Sequence, residues 1–137
     1  MNKNLNILLI EDDMIEVMKF NRTVAKLDLP HKIVESKNGK EALEFLLKKV
    51  RLPDIILLDL NMPKLNGIEF LSILKKDETL KYIPTIVLTT SNNRRDVLEC
   101  YKIGIAGYII KPLKFNDYVD LIKKTLDYWS NNELIKG

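Results

Sequence analysis

Five short apolar runs alternate with segments long enough to form helices, and this alternation constrains the fold more than any other feature of the chain. The runs end at Ile10 or lie around Ile33-Val34 and over Ile55–Leu58, Ile86–Leu88 and Tyr108–Ile110. Several of them lack apolar/polar alternation, which is typical of strands covered on both faces in a parallel sheet. Strands that alternate with helices through short connections predict a doubly wound α/β fold with right-handed crossovers.

The first and last intervening segments carry apolar stripes at helical spacing. The stripe residues are Val17, Phe20, Val24 and Leu27 in the first segment and Phe115, Val119, Ile122, Leu126 and Trp129 in the last. Both stripes are expected to pack against the sheet, and Asn116 is expected to help start the last helix.

Composition narrows the class of protein. The chain has 137 residues, 46% hydrophobic and 30% charged, which fits one globular domain. A net charge of +3 from scattered basic residues gives no support for nucleic-acid binding. No apolar run approaches the length of a membrane span. The single cysteine, Cys100, precludes an internal disulfide and suits a reducing cytoplasm.

Polar side chains follow four of the five apolar runs. Glu11 and Asp12 come after the first run, Asp59 after the third, Thr89 at the end of the fourth and Lys111 after the fifth. In a parallel sheet these strand ends share one edge, where open α/β folds bind ligands. The sequence therefore predicts a polar site at this edge.

The residue types at this edge fit a phosphoryl group and a hard cation. Glu11, Asp12 and Asp59 would repel one another unless a cation lay among them. Oxygen ligands without histidine or cysteine favour Mg²⁺, and a nearby lysine and hydroxyl suit phosphoryl oxygens. A carboxylate so neutralised can act as the nucleophile and hold an acyl phosphate.

The stretches "LLIEDD", "ILLDLNMPKLNG", "IVLTTS" and "GYIIKP" resemble the four signature segments of the response-regulator receiver domain of two-component signalling. The resemblance runs from about Leu5 to Trp129. It implies a flavodoxin-like (βα)5 fold of strand order 2-1-3-4-5 with helices on both faces. It also implies a single domain over 1–137, with its core at about 5–129 and a short tail over 130–137.

The resemblance implies a role for each residue at the predicted edge. Asp59 would be the phosphoacceptor, Thr89 the switch hydroxyl and Lys111 the lysine that pairs with the phosphoryl group. The metal would be held by Glu11, Asp12, Asp59 and the backbone carbonyl of Asn61. Tyr108 would be the aromatic switch residue whose inward or outward rotamer follows Thr89.

Two further expectations concern the backbone beside these residues. Asp13 is expected to be a helix N-cap rather than a metal ligand. The resemblance implies that the Lys111-Pro112 peptide bond is cis.

The implied function is a single-domain, cytoplasmic response regulator that takes a phosphoryl group from a histidine kinase or a relay phosphohistidine. Apart from phosphotransfer and autodephosphorylation it would not be an enzyme. One alternative is an unphosphorylated pseudo-receiver adaptor, although such proteins usually lack part of the acid, aspartate and lysine set. A less favoured alternative is an aspartate-nucleophile phosphatase, which would want an aspartate where Asn61 stands.

If the chain is complete, the output is expected to be a protein–protein contact rather than DNA binding. The expected surface is formed by the fourth helix, the fifth strand and the last helix, with the residues Tyr101, Lys102, Tyr108, Tyr118 and Tyr128. The segments "DLNMPK", "IPTIVLTTS" and "DYW" resemble stand-alone receivers served by phytochrome-type sensor kinases. Some of those receivers pair, so a homodimer is a further expectation.

Overall fold

The computed structural model describes residues 3–62 and 65–135, in which one sheet contains five strands. The strands are β1 (Asn6–Ile10), β2 (Lys32–Ser36), β3 (Ile55–Leu58), β4 (Thr85–Thr89) and β5 (Gly107–Ile110). The helices are α1 (Met14–Lys26), α2 (Gly39–Leu47), α3 (Gly67–Leu74), α4 (Arg94–Ile103) and α5 (Phe115–Ser130). A short 3-10 helix covers Leu80–Tyr82 before β4.

All neighbouring strands are parallel, and their order is β2-β1-β3-β4-β5. The expected α/β fold and strand order are confirmed. The register aligns Ile10 with Leu58, and Thr89 with Ile110. The first residues after β1 and β3, and those after β4 and β5, therefore emerge side by side at one edge of the sheet.

Each central strand contributes to a core on both faces of the sheet. On one face Leu8, Ile10 and Leu58 belong to a buried cluster with residues of α2, α3 and α4. On the other, Leu9 and Leu57 belong to a cluster with α1 and α5. This two-sided burial explains the unbroken apolar runs, whereas the edge strand β2 is largely exposed.

Asparagine or aspartate side chains cap the first four helices. Asp13 Oδ1 accepts a hydrogen bond from Ile15 N at 2.9 Å, which confirms its expected capping role. Helix α5 is different, because it begins after Lys114 and has no side-chain cap. The expectation that Asn116 starts this helix is wrong, since Asn116 lies inside the first turn.

Helix α5 is rotated relative to its predicted stripe. Its buried residues are Tyr118, Ile122, Leu126 and Ser130, whereas Phe115 is 37% exposed. Tyr118 is 1% exposed, so it cannot contribute to the predicted tyrosine surface. Its ring packs in the α1–α5 core, where Lys19 Nζ lies 4.2 Å from the ring centroid.

The peptide bond between Lys111 and Pro112 also differs from the expectation. There is no cis peptide bond in residues 3–62 and 65–135, so this bond is trans here and the cis expectation is wrong for this structure.

Candidate functional site

Three carboxylates converge at the carboxyl edge of the sheet. Oxygens of Glu11, Asp12 and Asp59 all lie within 4.8 Å of one another. Parallel pairing produces this arrangement, because Ile10 and Leu58 are aligned and Asp59 N donates to the Ile10 carbonyl at 3.0 Å. Glu11 and Asp59 are buried, at 5% and 9% exposure, and Asp12 faces solvent. The structure thus brings together the three acidic side chains predicted from the sequence.

Lys111 extends into the same region from the end of β5. Its backbone N donates to the Thr89 carbonyl at 2.8 Å, which holds the residue beside β4. Its Nζ lies 2.7 Å from Glu11 Oε1 and 3.0 Å from Glu16 Oε1. The Lys111 side chain is only 7% exposed, so these contacts are shielded from solvent. The ammonium group is therefore shared between two carboxylates.

Burial and neighbouring charges change how these groups ionise. Burial raises the pKa of Glu11 to about 7, with the charge of Asp59 adding to the rise and Lys111 opposing it. Burial by itself would lower the pKa of Lys111. Its contacts with Glu11 and Glu16 and the charge of Asp59 outweigh burial, so the pKa of Lys111 is raised. The lysine therefore stays cationic, while burial makes the charged form of Glu11 costly and the charge of Asp59 adds to that cost.

Glu16 is the site residue that the sequence analysis missed. It occupies the third position of α1, three residues after the cap Asp13, where a glutamate commonly reaches back toward the helix start. Here its carboxylate contacts Lys111 instead. The sequence did carry a signal for this residue: a glutamate follows the aspartate cap by three residues. That spacing places a carboxylate in the first turn of α1, beside the edge of the sheet.

Thr89, Ser91 and Tyr108 form a connected group at the ends of β4 and β5. Thr89 is fully buried, and its Oγ1 accepts a hydrogen bond from Ser91 N at 3.3 Å. The Tyr108 hydroxyl donates to the Ser91 carbonyl at 2.8 Å, and its half-buried ring packs against the core. Burial raises the pKa of Tyr108, which stays a neutral hydrogen-bond donor. The two predicted switch residues are thus linked through Ser91.

The loop after Asp59 is shaped by a close backbone approach at Gly67. A Cβ at this position would lie 2.7 Å from Leu60 Cα and 3.0 Å from the Asp59 carbonyl oxygen, so no side chain fits. Gly67 N donates to the Leu60 carbonyl at 3.1 Å. Asn61 is exposed within this loop and lines a cavity of about 290 Å³. Asn61 thus lies between the buried residues Leu60 and Met62.

The donor set fits a hard divalent cation. The three clustered side chains offer only carboxylate oxygens, and the two buried ones carry like charge in a poorly solvated setting. Lys111 supplies compensating charge to Glu11 on the side toward α1. The side chains that would hold the cation are therefore Glu11, Asp12 and Asp59.

Burial shows which tyrosines of the predicted interaction surface are accessible, and the surface itself stays a prediction. Tyr101 and Tyr128 are exposed, at 51% and 62%, while Tyr118 is buried.

Within residues 3–62 and 65–135, no helix has the length and apolar character needed to cross a membrane.

The chain is similar in sequence to known response regulators. The sequence model of the response regulator receiver domain matches residues 7–123. The chain is 37% identical over 127 residues to the probable methanogenesis regulatory protein FilR2 of Methanothrix harundinacea, covering 90% of this chain and 82% of FilR2.

Two solved structures are similar in both fold and sequence. The phosphorylated cyanobacterial phytochrome response regulator RcpA superposes with a TM-score of 0.90 at 32% identity, over 97% of this chain and 99% of that chain. The Mn²⁺-bound form of response regulator Rcp1, from Synechocystis, gives a TM-score of 0.87 at 29% identity with the same coverage.

These matches establish the class of protein. Receiver domains are phosphoacceptor signalling domains rather than conventional enzymes, and they bind a divalent metal in an acidic pocket. This chain also has an acidic cluster at the carboxyl edge of its sheet. The chain belongs to the response regulator receiver domain family.

Proposed function

We propose that this chain is a single-domain response regulator in which Asp59 accepts a phosphoryl group from the phosphohistidine of a sensor histidine kinase or a relay protein. The observation that carries the proposal is the convergence at one sheet edge. Oxygens of Glu11, Asp12 and Asp59 lie within 4.8 Å of one another, and Lys111 Nζ lies 2.7 Å from Glu11. Carboxylates, a cation site and a buried ammonium group are the parts that phosphoryl transfer to aspartate needs.

In this proposal Asp59 acts as the nucleophile. One of its carboxylate oxygens attacks phosphorus, so that an O–P bond forms and the N–P bond of phosphohistidine breaks. The electron pair of the broken bond stays on the imidazole nitrogen. Held by Glu11, Asp12, Asp59 and the Asn61 carbonyl, Mg²⁺ would supply charge neutralisation at the phosphoryl oxygens. Asp59 is itself held against β1 through the hydrogen bond from its backbone N to Ile10.

The chain's own side chains then hold the product. The ammonium group of Lys111 pairs with one phosphoryl oxygen, and the Thr89 hydroxyl, which now accepts from Ser91 N, donates to another. A move of Thr89 alters its contact with Ser91, and Tyr108 hydrogen-bonds the same residue. Phosphorylation thereby shifts the population of conformations at the β4–β5 end of the sheet. Water later hydrolyses the acyl phosphate.

The output that we propose is a protein–protein contact. Tyr101 on α4 and Tyr128 on α5 are both exposed, and exposed tyrosines suit protein recognition. The occupant would be a downstream protein or a second copy of this chain. The net charge of +3 gives no support to nucleic acid as the partner.

Phosphorylation with acetyl phosphate and Mg²⁺, followed on gels that retard phosphoproteins, tests the acceptor. The wild-type chain should shift, and Asp59→Asn should not, because an amide cannot form the acyl phosphate. Asp54→Asn is a matched control: Asp54 is also buried, at 7% exposure, but it lies at the opposite end of β3. It should be phosphorylated like the wild type.

Three outcomes would contradict the proposal. Phosphorylation of Asp59→Asn at the wild-type level would place the acceptor elsewhere. A wild-type chain that takes up no phosphoryl group, from acetyl phosphate or from a phosphorylated kinase, would favour the adaptor alternative. Catalytic turnover of a small phosphate ester would favour the phosphatase.

A further inference from the structure

The ion pair between Glu16 and Lys111 links helix α1 to the lysine of the site. Asp13 caps α1 and thereby orients its first turn, so that the Glu16 carboxylate meets Lys111 Nζ at 3.0 Å. The Glu16 side chain is 24% exposed and the Lys111 side chain 7% exposed. The pair is therefore better shielded than an ordinary surface ion pair, and its contribution is correspondingly larger.

Glu16 differs from Glu11, the other partner of Lys111. Glu11 belongs to the carboxylate cluster with Asp12 and Asp59, whereas Glu16 lies outside that cluster in the part of the chain that the structure describes. The attraction of Glu11 for Lys111 is shared with whatever cation the cluster holds. The attraction of Glu16 for Lys111 is not shared in this way, so Glu16 is the carboxylate that competes most directly with a phosphoryl group for the ammonium.

We propose that Glu16 is a positioning residue that holds the Lys111 ammonium on the α1 side of the site until a phosphoryl group on Asp59 draws it away. This inference rests on the proposed function, since it assumes that Lys111 pairs with the phosphoryl group. Glu16 then sets how readily Lys111 moves to the phosphoryl group. Its ion pair stabilises the unphosphorylated arrangement, and removing its charge makes Lys111 more available to the phosphoryl group.

The affinity for beryllofluoride in the presence of saturating Mg²⁺ measures this competition, because beryllofluoride on an aspartate mimics the acyl phosphate. Glu16→Gln should bind it about three- to tenfold more tightly than the wild type, the scale of a partly shielded ion pair. Binding can be followed by NMR peak shifts of the Thr89 and Lys111 backbone amides. In a Lys111→Ala background, adding Glu16→Gln should change the affinity by less than twofold, because the group through which Glu16 acts is gone.

Glu41→Gln is the matched control. Glu41 occupies the third position of α2 behind the cap Asn38, as Glu16 does in α1 behind Asp13, and it is exposed. Glu41→Gln removes the same charge at the same helix position but at a distance from Lys111. The affinity of this variant for beryllofluoride should therefore equal that of the wild type.

The possible results separate this inference from the proposed function. If wild-type protein binds beryllofluoride and Glu16→Gln binds it equally or more weakly, the competition is disproved while the proposed function stands. An equal gain in Glu41→Gln, or a gain that persists without Lys111, would show a general charge effect and overturn the inference. Failure of the wild type to bind beryllofluoride at all would overturn the proposed function and this inference together.

Discussion

The two ends of the sheet both bury polar groups, but they treat them in opposite ways. At the amino end, Asp54 Oδ2 accepts a hydrogen bond from Asn6 N at 2.8 Å, and His31 Nδ1 accepts one from Leu5 N at 2.9 Å. At the carboxyl end, three carboxylates gather within 4.8 Å and two of them are buried. At the first end both side chains accept hydrogen bonds from backbone N–H groups. At the second, Glu11 pairs with Lys111 and accepts from Asp13 N at 3.2 Å, yet it still lies against the carboxylates of Asp12 and Asp59.

This difference distinguishes buried polar groups that stabilise the fold from those that are available to bind a ligand. A buried acceptor that satisfies a backbone N–H stabilises the fold and leaves no capacity for a ligand. Like charges held together cost stability and keep the capacity to bind a cation. Four predictions test the contrast, in order of decreasing effect.

The largest effect is expected from Mg²⁺ itself. A cation bound only by the folded state stabilises it by about 2.7 kcal/mol when its concentration is 100 times Kd. Urea unfolding in Mg²⁺ and in EDTA should show this gain for the wild type. The gain should shrink in Asp12→Asn, which loses one proposed ligand, and persist in Asp54→Asn. Equal stability of the wild type in Mg²⁺ and EDTA would show that the carboxylates at the carboxyl end do not bind Mg²⁺ in the folded state.

Loss of the carboxylate at the amino end should destabilise the protein. Asp54→Ala leaves Asn6 N without its side-chain acceptor, which should cost about 2 kcal/mol of unfolding free energy. The urea midpoint measures this loss, and Mg²⁺ binding should be unchanged. If the midpoint did not move, Asp54 would not have the structural role assigned to it.

Loss of a carboxylate at the carboxyl end should have the opposite sign. In EDTA, Asp59→Asn removes one of three clustered charges and should raise the unfolding free energy by about 1 kcal/mol, the scale of repulsion between unit charges about 4 Å apart in water, because the neighbouring Asp12 is exposed to solvent. The same urea titration compares it with Asp54→Ala. If Asp59→Asn were less stable than the wild type in EDTA, the Asp59 carboxylate would contribute more to the stability of the fold than its repulsion of the other carboxylates costs.

The smallest effect concerns His31 and pH. Burial lowers the pKa of His31 below 6.5, with the charge of Asp127 opposing the shift. The unfolded chain therefore binds a proton more readily than the folded chain, so this contribution to stability is complete above pH 6.5 and is lost as pH falls below it. Protonation of Nδ1 would also remove the acceptor for Leu5 N.

Unfolding free energies at pH 7.5 and 5.5 measure this contribution (both values are about one unit from the ordinary histidine pKa). The wild type should lose more stability on acidification than His31→Gln. Other titrating groups, Glu11 among them, are common to both proteins and cancel in the difference. Identical losses in the two proteins would show that His31 titrates as it does in the unfolded chain.

The sequence predicted the fold and the carboxylate site well because both follow from local features. Apolar runs mark strands, and in a parallel sheet the residue after each strand reaches the same edge whatever the helices do. Glu11 and Asp59 needed only the pairing of β1 with β3 to meet. Asp13 was predicted as a cap from its residue type and position, and the hydrogen bond to Ile15 N confirms it.

Two of the errors concern helix α5, because its residues alone do not show which of its faces packs against the sheet. The third, the trans peptide bond between Lys111 and Pro112, lies in the loop before that helix. Helix α5 has apolar or aromatic residues on adjoining faces, so a stripe through Val119 and one through Tyr118 both include Ile122 and Leu126. Only contact with α1 decides between them, and it buries Tyr118. Asn116 failed as a start signal for a similar reason, because the backbone turns into the helix one residue before it.

What the sequence determined by itself was the order of strands and helices and the kind of chemistry at their ends, because periodicity and residue type are properties of short segments. The tertiary structure alone decided which side of α5 is buried and which carboxylates hold Lys111. Those outcomes depend on how α1 and α5 are rotated against the sheet, and that rotation is set by side-chain packing between segments far apart in the chain. Glu16 lies 3.0 Å from a lysine that is far away in sequence, and only the folded chain brings the two together.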